Sequence, residues 1–127
     1  MKYRLVDVNN EKTIHQFHEV VRQLYKGDPN FICPLDSIVE GVFTPSKNTF
    51  FSHGEACRWI LLDENGKLSG RVAAFINNRK AFTFQQPTGG MGFFESVRDK
   101  DAAFLLFDIC RQWLEERGMQ AMDGPIN

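Results

Sequence analysis

The sequence lacks long apolar runs and any excess of charge. No segment approaches the ~18 apolar residues that a membrane-spanning helix needs, and the N-terminal MKYRLVDVNN has no apolar core of a signal peptide. The 15 basic residues are balanced by 16 acidic ones, which gives a net charge of -1. Such a chain has no overall field that attracts nucleic acid or an anionic membrane. We therefore expect a cytoplasmic protein with neither of these partners.

Cysteine is scarce, and its spacing excludes the usual cysteine-based sites. Cys33, Cys57 and Cys110 are odd in number and do not have the spacing of metal ligands. This favours free thiols in a reducing compartment over a disulfide framework. His15 and His18 lie three residues apart without a third strong ligand, so we expect no metal site. Neither a Ser-His-Asp set nor a phosphate-binding loop motif can be assembled from the sequence.

Aromatic and other apolar residues are plentiful. Phenylalanine accounts for 12 of the 127 residues, and hydrophobic residues make up 43% of the chain. This is enough for one core, and rings at this density usually fill the space between a sheet and its helices. We therefore expect a single domain over residues 1–127.

Periodic patterns and turn residues predict an alternation of strands and helices. The Asn65-Gly66 pair between two apolar segments is typical of a hairpin, Asp99 can cap a helix, and Gly118 can end it. The predicted elements are a strand at 3–8, a helix from Asn9 or Asn10 to about Tyr25, a short helix at 35–42, an antiparallel hairpin of strands at 56–63 and 68–76, strands at 81–85 and 88–96, and a helix at 101–117.

The last helix has a wide apolar stripe that we expect to lie on a sheet. We expect these of its residues to be mostly buried: Phe104, Phe107, Ile109, Cys110 and Trp113. The residues after Gly118 read as the start of a further strand, so we expect a domain that is incomplete at its C-terminus. The run Gly89-Gly90-Met91-Gly92 is consistent either with a ligand approaching the backbone or with a turn into a bulged strand.

Several blocks of the sequence, taken together, resemble those of a known protein family. They are residues 25–35 (YKGDPNFICPL), 50–55 (FFSHGE), 70–74 (GRVAA), 92–95 (GFFE), 116–119 (ERGM) and 124–127 (GPIN). Together with the order of the predicted elements, they resemble the N-terminal portion of a family of uncharacterised bacterial proteins with a GNAT-like fold, the fold of acyl-CoA N-acyltransferases. The resemblance covers nearly the whole chain, and family members continue well past the last block.

The resemblance implies a fold, an activity and a set of residues. The fold is α/β (α+β-like), a partial GNAT-like mixed sheet, mostly antiparallel and flanked by helices. The activity of the complete protein would be transfer of an acyl group from acetyl-CoA or another acyl-CoA to a small-molecule amine. Glu95 would be the catalytic general base, although a lone glutamate between strand and helix is more often a solvated or capping carboxylate. Cofactor binding would fall to Phe94, Ser96, Arg98 and Lys100.

The segment that should hold the CoA pyrophosphate departs from the family pattern. Residues 95–102 contain no glycine, and Asp99 and Asp101 place negative charge at the start of the helix, which Arg98 and Lys100 only offset. We therefore expect no cofactor on this chain alone and no activity from it. A non-catalytic binding or assembly module on the same scaffold is the alternative. An incomplete sheet would leave an open edge, so we expect a homodimer.

Overall fold

One five-stranded sheet organises the chain. The computed structural model describes residues 2–78 and 86–126. The elements are β1 (Tyr3–Asp7), α1 (Glu11–Leu24), α2 (Asp36–Val42), a 3₁₀ turn (Thr49–Ser52), β2 (Gly54–Asp63), β3 (Leu68–Asn77), β4 (Thr88–Ser96), α3 (Lys100–Glu116) and β5 (Ala121–Ile126). The strands lie in the order β1-β2-β3-β4-β5, with β1 to β4 antiparallel and β5 parallel to β4. This confirms the mixed, mostly antiparallel sheet. The strand predicted at 81–85 lies outside the described residues.

Local capping chemistry starts α1 and closes the hairpin. Asn10 accepts a hydrogen bond from the Thr13 amide at 2.8 Å, and the Thr13 hydroxyl oxygen accepts one from the Asn10 amide, so α1 begins with a reciprocal cap. Between β2 and β3, the Asp63 carboxylate accepts hydrogen bonds from the amides of Asn65 and Lys67. Gly66 has a φ of +80°, a conformation that suits glycine. The predicted hairpin is therefore confirmed.

The C-terminal end of α3 directs the chain into β5. Gly118 has a φ of +84°, its amide donates to the Glu115 carbonyl, and the Met119 amide donates to the Leu114 carbonyl at 3.0 Å. This pair of bonds is the Schellman arrangement, which satisfies carbonyls that the helix leaves open. Leu114 and Met119 also pack together beside Ile76. The prediction that Gly118 ends the last helix is confirmed.

The two faces of the sheet carry different cores. The face covered by α3 is apolar and contains Tyr3, Trp59, Leu61, Val72, Ala74 and Met91, packed against Ala102, Leu106 and Cys110. The face covered by α1 contains Phe17, Val20, Ile60 and Leu62. Two buried arginines, Arg58 and Arg71, also lie among the aromatic rings on the α1 side. The site described below lies on this more polar side.

The prediction that Phe104 is buried is wrong, because its side chain is 68% exposed. The buried residues of α3 recur every four positions: Ala102, Leu106, Cys110 and Leu114. Phe104 lies two residues from Ala102 and from Leu106, so it falls on the opposite side of the helix. Phe107, Ile109 and Trp113 flank the buried line and are half-buried.

The glycines of β4 make room for neighbouring side chains. A Cβ atom on Gly89 would lie 2.4 Å from Leu114, and one on Gly90 would lie 2.4 Å from the ring of Phe75. Both residues lie in β4, which confirms the strand predicted at 88–96, and the register of β4 shifts just after them, as in a bulged strand. Among residues 2–78 and 86–126, no helix combines the length and the apolarity that crossing a membrane requires.

We predict that Leu106→Ala lowers the free energy of unfolding by about 2 to 5 kcal/mol, because it opens a cavity under a fully buried helix position. The matched control is Phe104→Ala on the exposed side of the same helix, which should stay within about 0.5 kcal/mol of wild type. Urea denaturation of the three proteins measures both values. Equal losses in the two variants would contradict the assignment of the α3 faces.

Candidate functional site

The site begins at a bulge in β4. Arg71 of β3 lies opposite Glu95 and Ala73 lies opposite Gly92, so β4 contains one extra residue between these two pairs. Phe93 within this segment has a φ of +53°, which is uncommon for a residue with a side chain. Backbone in such sparsely populated regions clusters at functional sites.

The bulge reverses the sheet face toward which β4 side chains point. Met91 before it and Phe94 after it both pack on the α3 side, whereas Phe93 packs on the α1 side. Strand side chains alternate with a period of two, so without the bulge Met91, Phe93 and Glu95 would share one face. The extra residue instead places Glu95 on the face of Arg71 and Tyr25.

Glu95 is held by the end of α1. The Tyr25 hydroxyl donates a hydrogen bond to Glu95 Oε1 at 2.7 Å. This bond to a carboxylate, together with partial burial, raises the pKa of Tyr25 above its ordinary value. The Tyr25 ring stacks on Phe31 with 4.6 Å between ring centroids. The loop after α1 and the end of β4 are thereby joined around one carboxylate.

Arg71 lies beneath this carboxylate and is only 6% exposed. Its Nε donates to the carbonyl of Phe93 and its Nη1 to the carbonyl of Phe17, both at 3.2 Å. The guanidinium lies 4.7 Å from the ring centroid of Phe17 and 5.8 Å from that of Phe93. Burial lowers the pKa of Arg71, and the nearby charge of Glu95 opposes that shift.

A second buried group ties α2 to the sheet. Arg58 of β2 donates to both carboxylate oxygens of Glu40 at 2.8 and 2.6 Å, and His18 Nε2 lies 2.8 Å from Glu40 Oε1. Burial alone would raise the pKa of Glu40, but the hydrogen bonds from Arg58 and His18 lower it below its ordinary value. This network holds the segment between α1 and α2 beside the site.

A cleft of about 580 Å³ separates the end of α1 from the connection between β4 and α3. It is lined by Leu24, Tyr25, Lys26, Asp28, Ser96, Val97 and Arg98. Charged groups of both signs and a phenol therefore surround a space large enough for a small molecule. Among the described residues, no group of three or more His, Cys, Asp or Glu side chains is placed to hold a metal ion.

The start of α3 is occupied by the protein's own carboxylate. Asp99 Oδ1 accepts from the Asp101 amide at 3.1 Å, and its Oδ2 accepts from Lys2 Nζ at 2.8 Å and from the Tyr3 hydroxyl at 2.6 Å. The hydrogen bonds from Lys2 and Tyr3 lower the pKa of Asp99 to about 2. An ionised carboxylate therefore fills the helix N-terminus, which is where the resemblance places the pyrophosphate of CoA. These residues do not fit the phosphates of CoA.

The structure brings together some of the predicted site residues and separates others. Ser96 and Arg98 line the cleft beside Tyr25, the partner of Glu95. Phe94 stacks on Phe107 of α3 with centroids 4.7 Å apart, on the opposite side of the sheet. Lys100 is the exposed first residue of α3.

Sequence reasoning missed Tyr25 and Arg71 as site residues. Arg71 could have been found, because a charged residue inside the apolar run of 68–76 is unusual in a buried strand. Tyr25 gave no such signal, since its role depends on the bulge that turns Glu95 toward it.

Comparison with solved structures places this geometry in a known fold. A tandem GNAT protein from the clavulanic acid biosynthesis pathway superposes with a TM-score of 0.67 at 13% identity, over 93% of this chain and 34% of its own. Glucosamine-6-phosphate N-acetyltransferase from Arabidopsis thaliana superposes with a TM-score of 0.65 at 11% identity, over 100% of this chain and 84% of its own. The chain has a GNAT-like fold.

Sequence comparison adds one longer relative. Protein YghO from Escherichia coli (strain K12) is 26% identical over 118 residues, which is 93% of this chain. The chain spans 30% of the length of that curated relative. No family model matches the sequence.

We predict that Asp99→Asn destabilises the protein near neutral pH and that the difference becomes smaller in acid. Asparagine keeps the helix cap but loses the charge that Lys2 and Tyr3 contact. Because the folded pKa of Asp99 is depressed to about 2, its contribution is complete above the unfolded value and is lost as pH falls toward 2. Urea midpoints of variant and wild type at pH 7, 4 and 2.5 measure this. A gap that is equally large at pH 7 and pH 2.5 would contradict it.

Proposed function

We propose that a longer protein containing this chain transfers an acyl group from an acyl-CoA to a small-molecule amine in the cytoplasm, and that this chain alone is inactive. The GNAT-like fold supports acyl transfer at a coarse level. The observation that carries the proposal is the Glu95 carboxylate, held by Tyr25 where β4 ends beside the cleft. Three free cysteines are consistent with the cytoplasmic location.

Glu95 is suited to accept a proton from an amine. A general base must reach its proton donor at about 2.6 to 3.2 Å, and Glu95 is half-buried with one oxygen held by Tyr25. In this proposal the second oxygen, Oε2, takes the proton from an ammonium group bound beside Tyr25.

The inactivity of this chain alone follows from the start of α3. The Asp99 carboxylate repels a phosphate and already accepts a hydrogen bond from the Asp101 amide. The phosphates of the acyl donor would then have to be bound by parts of the longer protein that this chain does not contain.

A second candidate is a non-catalytic binding or assembly module on a GNAT-like scaffold. The contact of Asp99 with Lys2 and Tyr3 favours it, because that contact uses the helix start as a structural joint between β1 and α3. In that case Glu95 would have a structural role only.

We predict that calorimetry detects no binding of acetyl-CoA to this chain with a Kd below ~10 μM, equivalent to about 7 kcal/mol. Asp99→Gly should raise the affinity, because it removes the repelling charge and frees the Asp101 amide. Asp108→Asn, which removes an exposed carboxylate farther along α3, is the matched control and should change nothing. Saturable micromolar binding to the wild-type chain would overturn this account of the helix start.

A longer protein that contains this chain is the material that separates the two candidate functions. If it is an acyltransferase, it binds acetyl-CoA and releases free thiol in the presence of an accepting amine. Glu95→Gln should then lower that rate by about 10²-fold to 10⁴-fold. Glu116→Gln, at the far end of α3, is the control and should keep the wild-type rate. Absence of both binding and thiol release in the longer product favours the non-catalytic module.

We also propose that the chain forms a homodimer through the outer edge of β5, which lies at the end of the strand order. Pro125 restricts further pairing to the residues before it. Sedimentation at ~100 μM, where a stable interface is occupied, should give twice the monomer mass of 14.6 kDa. A monomer at this concentration would contradict the dimer, and Met122→Pro on the same edge should abolish it.

A further inference from the structure

Arg71 joins three elements at the candidate site. It belongs to β3, and its two hydrogen bonds reach the carbonyl of Phe17 in α1 and the carbonyl of Phe93 in the β4 bulge. Glu95, two residues after Phe93, is the cross-strand neighbour of Arg71. The same guanidinium is therefore in contact with the backbone that sets the position of Glu95.

We propose that Arg71 is a positioning residue that fixes the β4 bulge and thereby holds Glu95 against Tyr25. The catalytic consequence rests on the proposed function, but the structural claim does not. Arg71 itself need not touch a substrate, since it acts through Phe93 and Glu95.

The alternative is that Arg71 only contributes to packing. The burial of its charge without an ion pair argues against that alternative. Within the described residues, no carboxylate lies within 4.0 Å of Arg71, whereas Arg58 on the same face has the carboxylate of Glu40. A charge buried without an ion pair costs stability, and an apolar side chain of similar size usually serves packing as well or better. Its retention beside Phe93 is explained if its two directed bonds are needed there.

The geometry of a guanidinium suits this task better than that of an ammonium. The planar group donates from Nε and Nη1 at the same time, in directions fixed by its geometry, to Phe93 and Phe17. Lysine keeps the charge but offers one compact donor group on a flexible stem. Arg71→Lys therefore preserves the charge and removes the planar group that makes the two directed bonds and lies near the rings of Phe17 and Phe93.

NMR of this chain tests the structural claim without any assay of activity. In Arg71→Lys we expect the amide signals of 93–95 to move, and the pKa of Tyr25 to fall toward its ordinary value as Glu95 leaves the phenol. Arg117→Lys is the matched control, because Arg117 also donates from Nε and Nη1, to Glu55 and to the Trp113 carbonyl, at the far end of α3. It should leave the 93–95 signals and the Tyr25 titration unchanged. A folded Arg71→Lys protein with wild-type values for both would overturn the proposal.

If Arg71→Lys does not fold, a measurement on the wild-type protein tests whether the bond from Arg71 to Phe93 persists. The Nε proton of Arg71 should exchange with solvent at least 100-fold more slowly than that of an exposed arginine such as Arg111, because it is buried and bonded to Phe93. Equal exchange at Arg71 and Arg111 would show that the bond to the bulge does not persist, and would overturn the proposal.

A longer protein that contains this chain gives the catalytic readout. If it transfers acyl groups, Arg71→Lys should lower kcat at least tenfold with KM changed less than twofold, since the base is misplaced while the cleft remains. An unchanged kcat, with the NMR changes present, would refute the catalytic consequence. If the wild-type product has no transferase activity, the proposed function fails, and the NMR result still decides the structural role of Arg71.

Discussion

The pairing of β3 with β4, and the one-residue bulge within it, is the constraint on which the site depends. Because side chains alternate along a strand, one extra residue reverses the orientation of everything after it. Met91 thus packs under α3, while Phe93 and Glu95 point to the α1 side. A regular ladder would bury Glu95 in the apolar core beneath α3. The bulge avoids that cost, and the carbonyl of Phe93 that it presents is the one that Arg71 binds.

Competition for the start of α3 is the second constraint. A helix N-terminus has open amides and a positive end of its dipole, and either an external anion or an internal carboxylate can satisfy them. Here Asp99 does so, and Lys2 and Tyr3 hold it from β1. Stability of the fold and affinity for a phosphate are therefore opposed at one residue. A longer protein that uses this scaffold for acyl transfer would have to bind its donor without this helix end.

The sequence was most informative where structure is local. Asn65-Gly66, Asp99 and Gly118 act through bonds to residues within five positions, so their patterns predicted the hairpin and both ends of α3. The prediction that Phe104 is buried was wrong, because a wide apolar stripe does not determine which line of residues along the helix contacts the sheet. The buried residues of α3 are those that lie four positions apart. The contact of Tyr25 with Glu95 joins residues 70 positions apart and depends on the bulge, for which a glycine-rich strand is only a general sign.

The polar groups on the α1 side of the sheet act together to fix the geometry of the site. The buried side chains of His18 and Arg58 both contact the half-buried Glu40, and the guanidinium groups of Arg58 and Arg71 lie 4.9 and 4.7 Å from the ring centroid of Phe17. Replacing such a network by apolar residues usually costs nothing in stability, so its presence calls for a reason in addition to stability. Its effect here is geometric. Glu40 fixes α2, Arg71 fixes the β4 bulge, and the segment between α1 and α2 is thereby held beside Glu95. The apolar core between the sheet and α3 stabilises the fold, whereas the charged residues on the α1 side of the sheet determine where the Glu95 carboxylate lies.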